Sequence, residues 1–256
     1  MASKDAATDQ EQSFMEHLIE LRSRLLKALL SVFLILLVLL PFSQRLYALL
    51  AAPLMARLPV GSNMIAIDVA SPFLTPFKFT LLLAFILAIP VVFYQLWCFV
   101  APALYRNEQR LAKPLLYSSI VLFYCGCLFA YFIVFPVMFG FFTSMAPAGV
   151  AVMTDISKYL DFVMTMFIAF GVTFEVPIAT IILVATGIIT VDKLVEMRPY
   201  VVVGAFTLGM FLTPPDVFSQ TLVAVPMWLL FELGLVMCRI LVPARVHDEE
   251  GDQASS

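Results

Sequence analysis

Two acidic side chains lie inside apolar runs, where a carboxylate is chemically unusual. Glu175 lies in the middle of one run with Pro177 two residues later, and Glu232 lies in another. A carboxylate at the centre of a membrane helix costs about 2.5–3.5 kcal/mol, so it normally faces protein or water and has a function. Since Pro177 removes a backbone hydrogen bond, the sequence predicts a helix kink and a polar pocket at Glu175.

A purely structural explanation exists for each of these residues. Glu175 could be a protonated carboxyl that only hydrogen-bonds a neighbouring helix. Glu232 lies seven residues before Arg239, and snorkelling toward the membrane interface explains it without a function. We favour a functional role for Glu175 and snorkelling for Glu232.

Two further carboxylates, Glu20 and Glu108, lie beside apolar runs. Glu20 belongs to an amphipathic stretch in which Ser13 and Glu16 have the spacing of a helix capping box. Arg24 follows Glu20 by four residues, which favours an ion pair on one helix face. Because a guanidinium pairs with a carboxylate through two parallel hydrogen bonds, such carboxylates can receive a cationic peptide. The alternative is a solvated helix face without a ligand.

Patterns typical of catalysis are missing from the sequence. Its two histidines, His17 and His247, lie outside the apolar runs, and it has no metalloprotease, serine-hydrolase or phosphate-binding motif. Its four cysteines have no C-x-x-C spacing, so we expect neither a disulfide nor a metal site. No basic and aromatic segment suggests nucleic-acid binding. We therefore expect a protein that is not an enzyme and needs no cofactor.

Membrane helices must hold these residues in place. Of the 256 residues, 62% are hydrophobic and 13% are charged, whereas soluble domains carry about 25% charge. A helix needs about 20 apolar residues to cross the hydrocarbon core. The uncharged runs predict an all-α membrane protein with six transmembrane helices, of which the last two are short. Their approximate ranges are 28–44, 79–105, 114–142, 162–191, 199–215 and 217–238.

The basic residues predict the orientation of these helices. Six spans place both termini on the same side of the membrane. With the N-terminus inside, eleven of the fifteen Lys and Arg residues lie in inner segments, as the positive-inside rule requires. The sequence thus predicts cytoplasmic termini, with disordered tails at 1–12 and 241–256 around a membrane domain of residues 13–240.

Short motifs along the chain resemble the TatC family, the multi-spanning receptor of the twin-arginine protein translocase. They are HLIELR at 17–22, DVASPF at 68–73, APALY at 101–105 followed by Glu108, FGVTFEVP at 170–177, RPY at 198–200 and LTPPDVFSQ at 212–220. The resemblance covers about residues 13–240. It implies six helices with a cytoplasmic N-terminus, in agreement with the distribution of charge.

The resemblance also implies a function and its residues. The family reads Arg-Arg signal peptides of folded precursors as an address and uses the proton-motive force without a nucleotide. Signal-peptide binding is expected at Glu20, Leu21, Phe99 and Glu108, and Glu175 would be an intramembrane polar group. The single-span partners TatA and TatB are expected to dock at Met210, Thr213 and Gln220. A periplasmic cap is expected to involve Pro53, Asp68 and Asp216.

Further expectations concern location, and one competing function remains open. The resemblance implies a bacterial inner-membrane protein that self-associates in a TatBC-type complex. A proton-coupled secondary transporter using Glu175 is the alternative. Such transporters commonly have paired broken helices in their two halves, and no second segment matches residues 174–177. A scaffold without a ligand site would leave the intramembrane carboxylate unexplained.

Overall fold

Helices account for almost all of the described structure. The computed structural model describes residues 2–55, 64–100, 109–145 and 153–241, and this part of the chain contains no β-strand. A single isolated bridge joins Ile65 to Asp155. The α-helices are α1 (Ala2–Leu39), α2 (Ser43–Met55), α3 (Ser71–Val100), α4 (Gln109–Phe129), α5 (Phe135–Ser144), α6 (Ile156–Thr173), α7 (Val176–Ala185), α8 (Val191–Glu196), α9 (Arg198–Leu212) and α10 (Val217–Leu241).

Six apolar helical segments confirm the predicted all-helical membrane architecture. Five of them are long and apolar enough to cross a membrane, and α9 is a shorter apolar helix. The five long segments are Ile19–Ala52, Ser71–Phe99, Lys113–Ser144, Ile156–Ala185 and Val217–Leu241.

The prediction of two short final helices is correct for α9 and wrong for α10. The 15 residues of α9 cover about 22 Å at 1.5 Å each. The 25 residues of α10 cover about 38 Å, more than the hydrocarbon core requires. Glu232 lies within α10 without interrupting it, and Arg198 Nη2 donates a hydrogen bond of 2.7 Å to Glu232 Oε2.

The first helix begins earlier than the capping pattern predicts. It starts at Ala2, and residues 2–12, predicted to be disordered, belong to it. Once a helix has formed, each added residue gains a hydrogen bond without a new nucleation cost. Once the apolar part of α1 is helical, the helix can therefore extend toward the N-terminus beyond Ser13. The C-terminal segment 242–256 lies outside the described residues.

Prolines break two of the long segments. In Lys113–Ser144, a five-residue π-helix (Ala130–Val134) leads into α5, and its wider turn compensates for the missing N–H of Pro136. In Ile156–Ala185, residues 174–175 form a turn between α6 and α7. Pro177 then lies in the first turn of α7, where its missing N–H costs nothing. The break predicted at Glu175 is thus confirmed.

The chain divides into two compact units, Met1–Ile168 and Ala169–Ser256. Within the first unit, the end of α2 lies beside the start of α6. Tyr159 Oη donates a hydrogen bond of 2.8 Å to the Leu50 carbonyl. The start of α3 reaches α6 as well, through a 4.0 Å ion pair between Lys78 and Asp161. In the orientation that the sequence predicts, the end of α2 and the starts of α3 and α6 lie on the outer side.

Within the second unit, α7 and α8 pack against α10. Leu194, Phe231 and Leu235 form a buried apolar cluster. Gly234 permits close approach, because an added Cβ would lie 3.0 Å from Pro177 Cα and would overlap Thr180 Oγ1.

Candidate functional site

Glu20 lies where the apolar part of α1 begins, and a guanidinium already contacts its carboxylate. Arg24 donates to Glu20 Oε1 from Nε, at 2.9 Å, and also from Nη2. The Glu20 side chain is 40% exposed and that of Arg24 is 24% exposed. The ion pair expected from the four-residue spacing is therefore present, and it lies at the protein surface.

Arg24 connects this pair to the end of α3. The first helix packs along α3 in the first unit, and the Cys98 thiol in the last turn of α3 is an electrostatic neighbour of the Arg24 guanidinium. Phe99 follows Cys98 in the chain and is half-buried, whereas Leu21 is exposed. We call this region, formed by Glu20, Leu21, Arg24, Cys98 and Phe99, the Glu20 end.

Two of the predicted site residues cannot be placed by their side chains. Glu108 lies outside the described residues, which resume at Gln109 with the start of α4. Pro53 lies in α2, but only its backbone is described.

Glu175 lies at the turn between α6 and α7, in the second unit. Its backbone N–H donates to the Val172 carbonyl at 3.0 Å, and its own carbonyl accepts from Ala179 at 2.9 Å. The side chain is partly buried. Glu175 thus lies where the regular hydrogen bonding of α6 ends and that of α7 begins. This is the local geometry that the Glu-Val-Pro sequence predicts.

The residues predicted to dock partners lie on α9, α10 and the turn between them, which we call the α9–α10 hairpin (198–241). Thr213 is buried, and its Oγ1 donates to the Gly209 carbonyl at 2.9 Å. Gln220 Nε2 donates to the Phe206 carbonyl at 2.8 Å. Met210 is 50% exposed. Thr213 and Gln220 thus hydrogen-bond within the hairpin, whereas Met210 is available at its surface.

Close packing reinforces these hydrogen bonds. A Cβ on Gly209 would lie 3.3 Å from both Gln220 Cγ and the Gln220 carbonyl oxygen. Such distances are tighter than ordinary van der Waals contact, so a side chain at Gly209 would push the two helices apart.

The two aspartates predicted for the periplasmic cap both help to start a helix. The Asp68 carbonyl accepts hydrogen bonds from Ser71 N and Oγ, at 3.2 and 2.8 Å, just before α3. Asp216 Oδ1 accepts from Ser219 N at 2.7 Å and caps α10. Asp216 Oδ2 and Ser219 Oγ are buried and have no hydrogen-bond partner within the described part of the chain.

Sequence reasoning missed the ion pair between Arg198 and Glu232. Snorkelling beside Arg239 was the favoured explanation for Glu232, but its partner is Arg198 at the start of α9, at 2.7 Å. The sequence does not indicate this ion pair because the two residues are separated by 34 positions. Only the packing of α9 against α10 brings them together, and no local spacing signals it.

The family of the chain follows from a comparison with known sequences. A profile described as Sec-independent protein translocase protein (TatC) matches residues 16–226. The chain belongs to the TatC family. This agrees with the resemblance seen in its short motifs.

Individual TatC proteins are similar over nearly the whole chain. The Sec-independent protein translocase protein TatC of Azotobacter chroococcum mcd 1 is 57% identical over 248 residues, covering 97% of this chain and 95% of its own. That of Escherichia coli (strain K12) is 54% identical over 244 residues and covers 95% of each chain. A crystal structure of the twin-arginine translocase receptor TatC matches with a TM-score of 0.77 at 35% identity, covering 88% of this chain and 98% of that one.

Membership of the TatC family decides between the functions that the sequence left open. This TatC-family chain is a component of the Sec-independent, twin-arginine protein translocase. It is a multi-pass membrane protein of protein transport and not an enzyme. The secondary-transporter and scaffold alternatives are therefore set aside.

Proposed function

We propose that this TatC-family protein is the receptor that binds Arg-Arg signal peptides of folded precursors and recruits TatA and TatB for export driven by the proton-motive force. One observation carries the proposal: the surface carboxylate of Glu20 already binds a guanidinium, that of Arg24. Guanidinium groups match carboxylates in shape and charge. Exposed Leu21 and half-buried Phe99 add apolar surface suited to the apolar segment that follows the basic residues of a signal peptide.

We infer that the Glu20 end faces the cytoplasm of a bacterium, with both termini on that side of the inner membrane. Arg22, Arg24 and Lys27 cluster in this part of α1, which supports that orientation. A precursor made in the cytoplasm would then meet the site before it crosses the membrane.

Glu108 is proposed as the carboxylate for the second arginine. It follows the last residue of α3, Val100, by eight positions and directly precedes α4. Both of its flanking helices thus have an end on the side where Phe99 lies. Two carboxylates would explain why two adjacent arginines are recognised rather than one.

The second unit is proposed to serve partner docking. Met210, Thr213 and Gln220 would form the contact surface for TatA and TatB, with Met210 the most exposed of the three. At about 22 Å, the short helix α9 would thin the bilayer locally and weaken it where a partner binds. Glu175 would supply an intramembrane polar group, Pro53, Asp68 and Asp216 would shape a periplasmic cap, and the protein would self-associate in a TatBC-type complex.

Site-specific photocrosslinking tests the receptor proposal. A photoreactive residue at position 20 or 108, in membrane vesicles with the partner proteins, is expected to crosslink to an Arg-Arg precursor and much less to its Lys-Lys version. The control is position 69, because Val69 is 98% exposed and precedes α3, at the opposite end of that helix from Phe99. The proposal fails if neither position 20 nor position 108 reacts, or if the Lys-Lys precursor reacts equally well.

A further inference from the structure

Arg24 holds the same carboxylate that a signal arginine needs. We propose that Arg24 is a specificity-determining residue: it competes for Glu20, and a ligand with two guanidinium groups displaces it far better than a ligand with ammonium groups. The inference rests on the proposed receptor function and adds a role that the motifs do not assign. The i,i+4 pairing alone would make Arg24 an ordinary surface residue.

The hydrogen bonds show what an incoming arginine must overcome. Both donors of Arg24, Nε and Nη2, bind Oε1 of Glu20. A bidentate guanidinium contact needs both carboxylate oxygens, one for each parallel N–H. An arginine from a ligand therefore cannot form that contact with Glu20 while Arg24 keeps Oε1, and Arg24 must be displaced first.

The position of Arg24 keeps its guanidinium beside Glu20 when no ligand is bound. Its side chain is less exposed than that of Glu20, 24% against 40%. Its two hydrogen bonds to Glu20 Oε1 come from the same helix, one turn away, and that helix packs along α3, so the guanidinium stays near the carboxylate. The pair is nevertheless at the surface, where such ion pairs contribute little free energy. A ligand that binds better than Arg24 can consequently exchange with it.

The exchange discriminates between arginine and lysine for a geometric reason. A lysine ammonium has three donors but not the planar fork of a guanidinium, so it cannot place two parallel N–H groups on the two carboxylate oxygens. The positive charge of Arg24 also repels every incoming cation by Coulomb's law. Arg24 thus weakens all cationic ligands, and a pair of arginines recovers most of that loss through bidentate contacts.

Replacing Arg24 should therefore relax specificity. For Arg24→Gln, we expect affinity for a Lys-Lys signal peptide to rise about threefold to tenfold, because both the competition and the charge repulsion disappear. Affinity for the Arg-Arg peptide should rise less, about twofold. The ratio of the Arg-Arg affinity to the Lys-Lys affinity then falls by about 1.5-fold to fivefold.

The experiment measures dissociation constants of Arg-Arg and Lys-Lys signal peptides for the full-length protein in nanodiscs with its partner proteins. Lys27→Gln is the matched control, since it removes the same charge from an exposed position on the same helix. It should shift both constants together and leave their ratio unchanged. Arg24→Lys separates charge from shape: it keeps the charge and loses the fork, so it should lower the ratio by a smaller factor.

Two results would overturn the inference. If Arg24→Gln weakens Arg-Arg binding, Arg24 positions Glu20 and does not compete for it. If Arg24→Gln changes the ratio no more than Lys27→Gln, Arg24 has no part in specificity. Glu20→Gln in the same assay separates the failure of the Arg24 inference from the failure of the receptor proposal. If Glu20→Gln loses Arg-Arg binding, the receptor proposal stands even if the Arg24 inference fails. If Glu20→Gln binds the Arg-Arg peptide unchanged, both proposals fail.

Discussion

The Glu20 end and the α9–α10 hairpin both carry polar groups on apolar helices, but they satisfy them in different ways. At the Glu20 end, Glu20 pairs with the side chain of Arg24, and both side chains are partly exposed. In the hairpin, Thr213 and Gln220 donate to backbone carbonyls, and backbone carbonyls cannot move away. An exchangeable side-chain pair is suited to a ligand that comes and goes. Polar groups bound to the backbone instead fix the shape of a surface.

Among changes in these two regions, reversing the charge of Glu20 should have the largest effect, and the effect should be on signal-peptide affinity. Glu20→Lys replaces the acceptor of guanidinium groups with a repelling ammonium. We expect a loss of about 100-fold in affinity for an Arg-Arg signal peptide, since charged interactions that are replaced by repulsion change binding by several kcal/mol. Glu196→Lys, an exposed position at the end of α8, is the control. Similar affinities for both variants would contradict the assignment of Glu20.

Glu175 should show an intermediate effect, because it combines features of both regions. It is a carboxylate, but a partly buried one at a helix break. We expect Glu175→Ala to lower the rate of export about tenfold, and Glu175→Gln to lower it only about twofold, because Gln keeps hydrogen-bonding capacity. The measurement is transport of an Arg-Arg precursor into vesicles. Equal transport by the Ala variant and the unchanged protein would make the polar pocket untenable.

A change at Gly209 should test whether the hairpin is as rigid as its contacts indicate. An added Cβ would lie 3.3 Å from Gln220, so the two helices must separate slightly. We expect Gly209→Ala to be less stable than Gly204→Ala by about 1 kcal/mol, measured by thermal unfolding in detergent. Gly204 lies on the same helix with nothing within 4 Å of an added Cβ, so the helix-propensity gain of Ala cancels between the two variants. Equal stabilities of the two variants would show that the helices of the hairpin can shift to accommodate the added methyl group.

The ion pair of Arg198 and Glu232 should have the smallest effect. Its side chains are 45% and 26% exposed, so solvent screens the interaction. We expect a coupling of about 0.5 kcal/mol in a double-mutant cycle of Arg198→Gln and Glu232→Gln, followed by thermal unfolding. A coupling of zero would leave the pairing without a role in joining α9 to α10. A coupling several times larger would show that the pair is shielded from water in the membrane.

Much of the fold is predictable because membrane helices are specified locally. The hydrophobic runs reveal six apolar helices, and the break at Glu175 follows from the nearby Pro177. Boundaries are less predictable. The sequence predicts that the last span ends near residue 238, whereas α10 continues to Leu241.

The candidate site was only partly predictable for the same reason. Glu20 and Leu21 belong to a motif, Phe99 lies two residues before another, and Arg24 has the right spacing for a pair with Glu20. Spacing could not reveal that the helix carrying both residues packs along α3, the helix that carries Phe99. The motifs likewise identified Asp216 without its structural role as the cap of α10.

By itself, the sequence determined the class of the protein, the number of its apolar helices and the motifs of its family, because hydropathy and short-range spacing are properties of neighbouring residues. Tertiary structure alone decided which distant charges meet, such as Lys78 with Asp161 and Arg198 with Glu232. It also decided that the start of the apolar part of α1, which carries Arg24, packs along α3. These contacts depend on which helix faces pack together, and packing is a property of the folded chain.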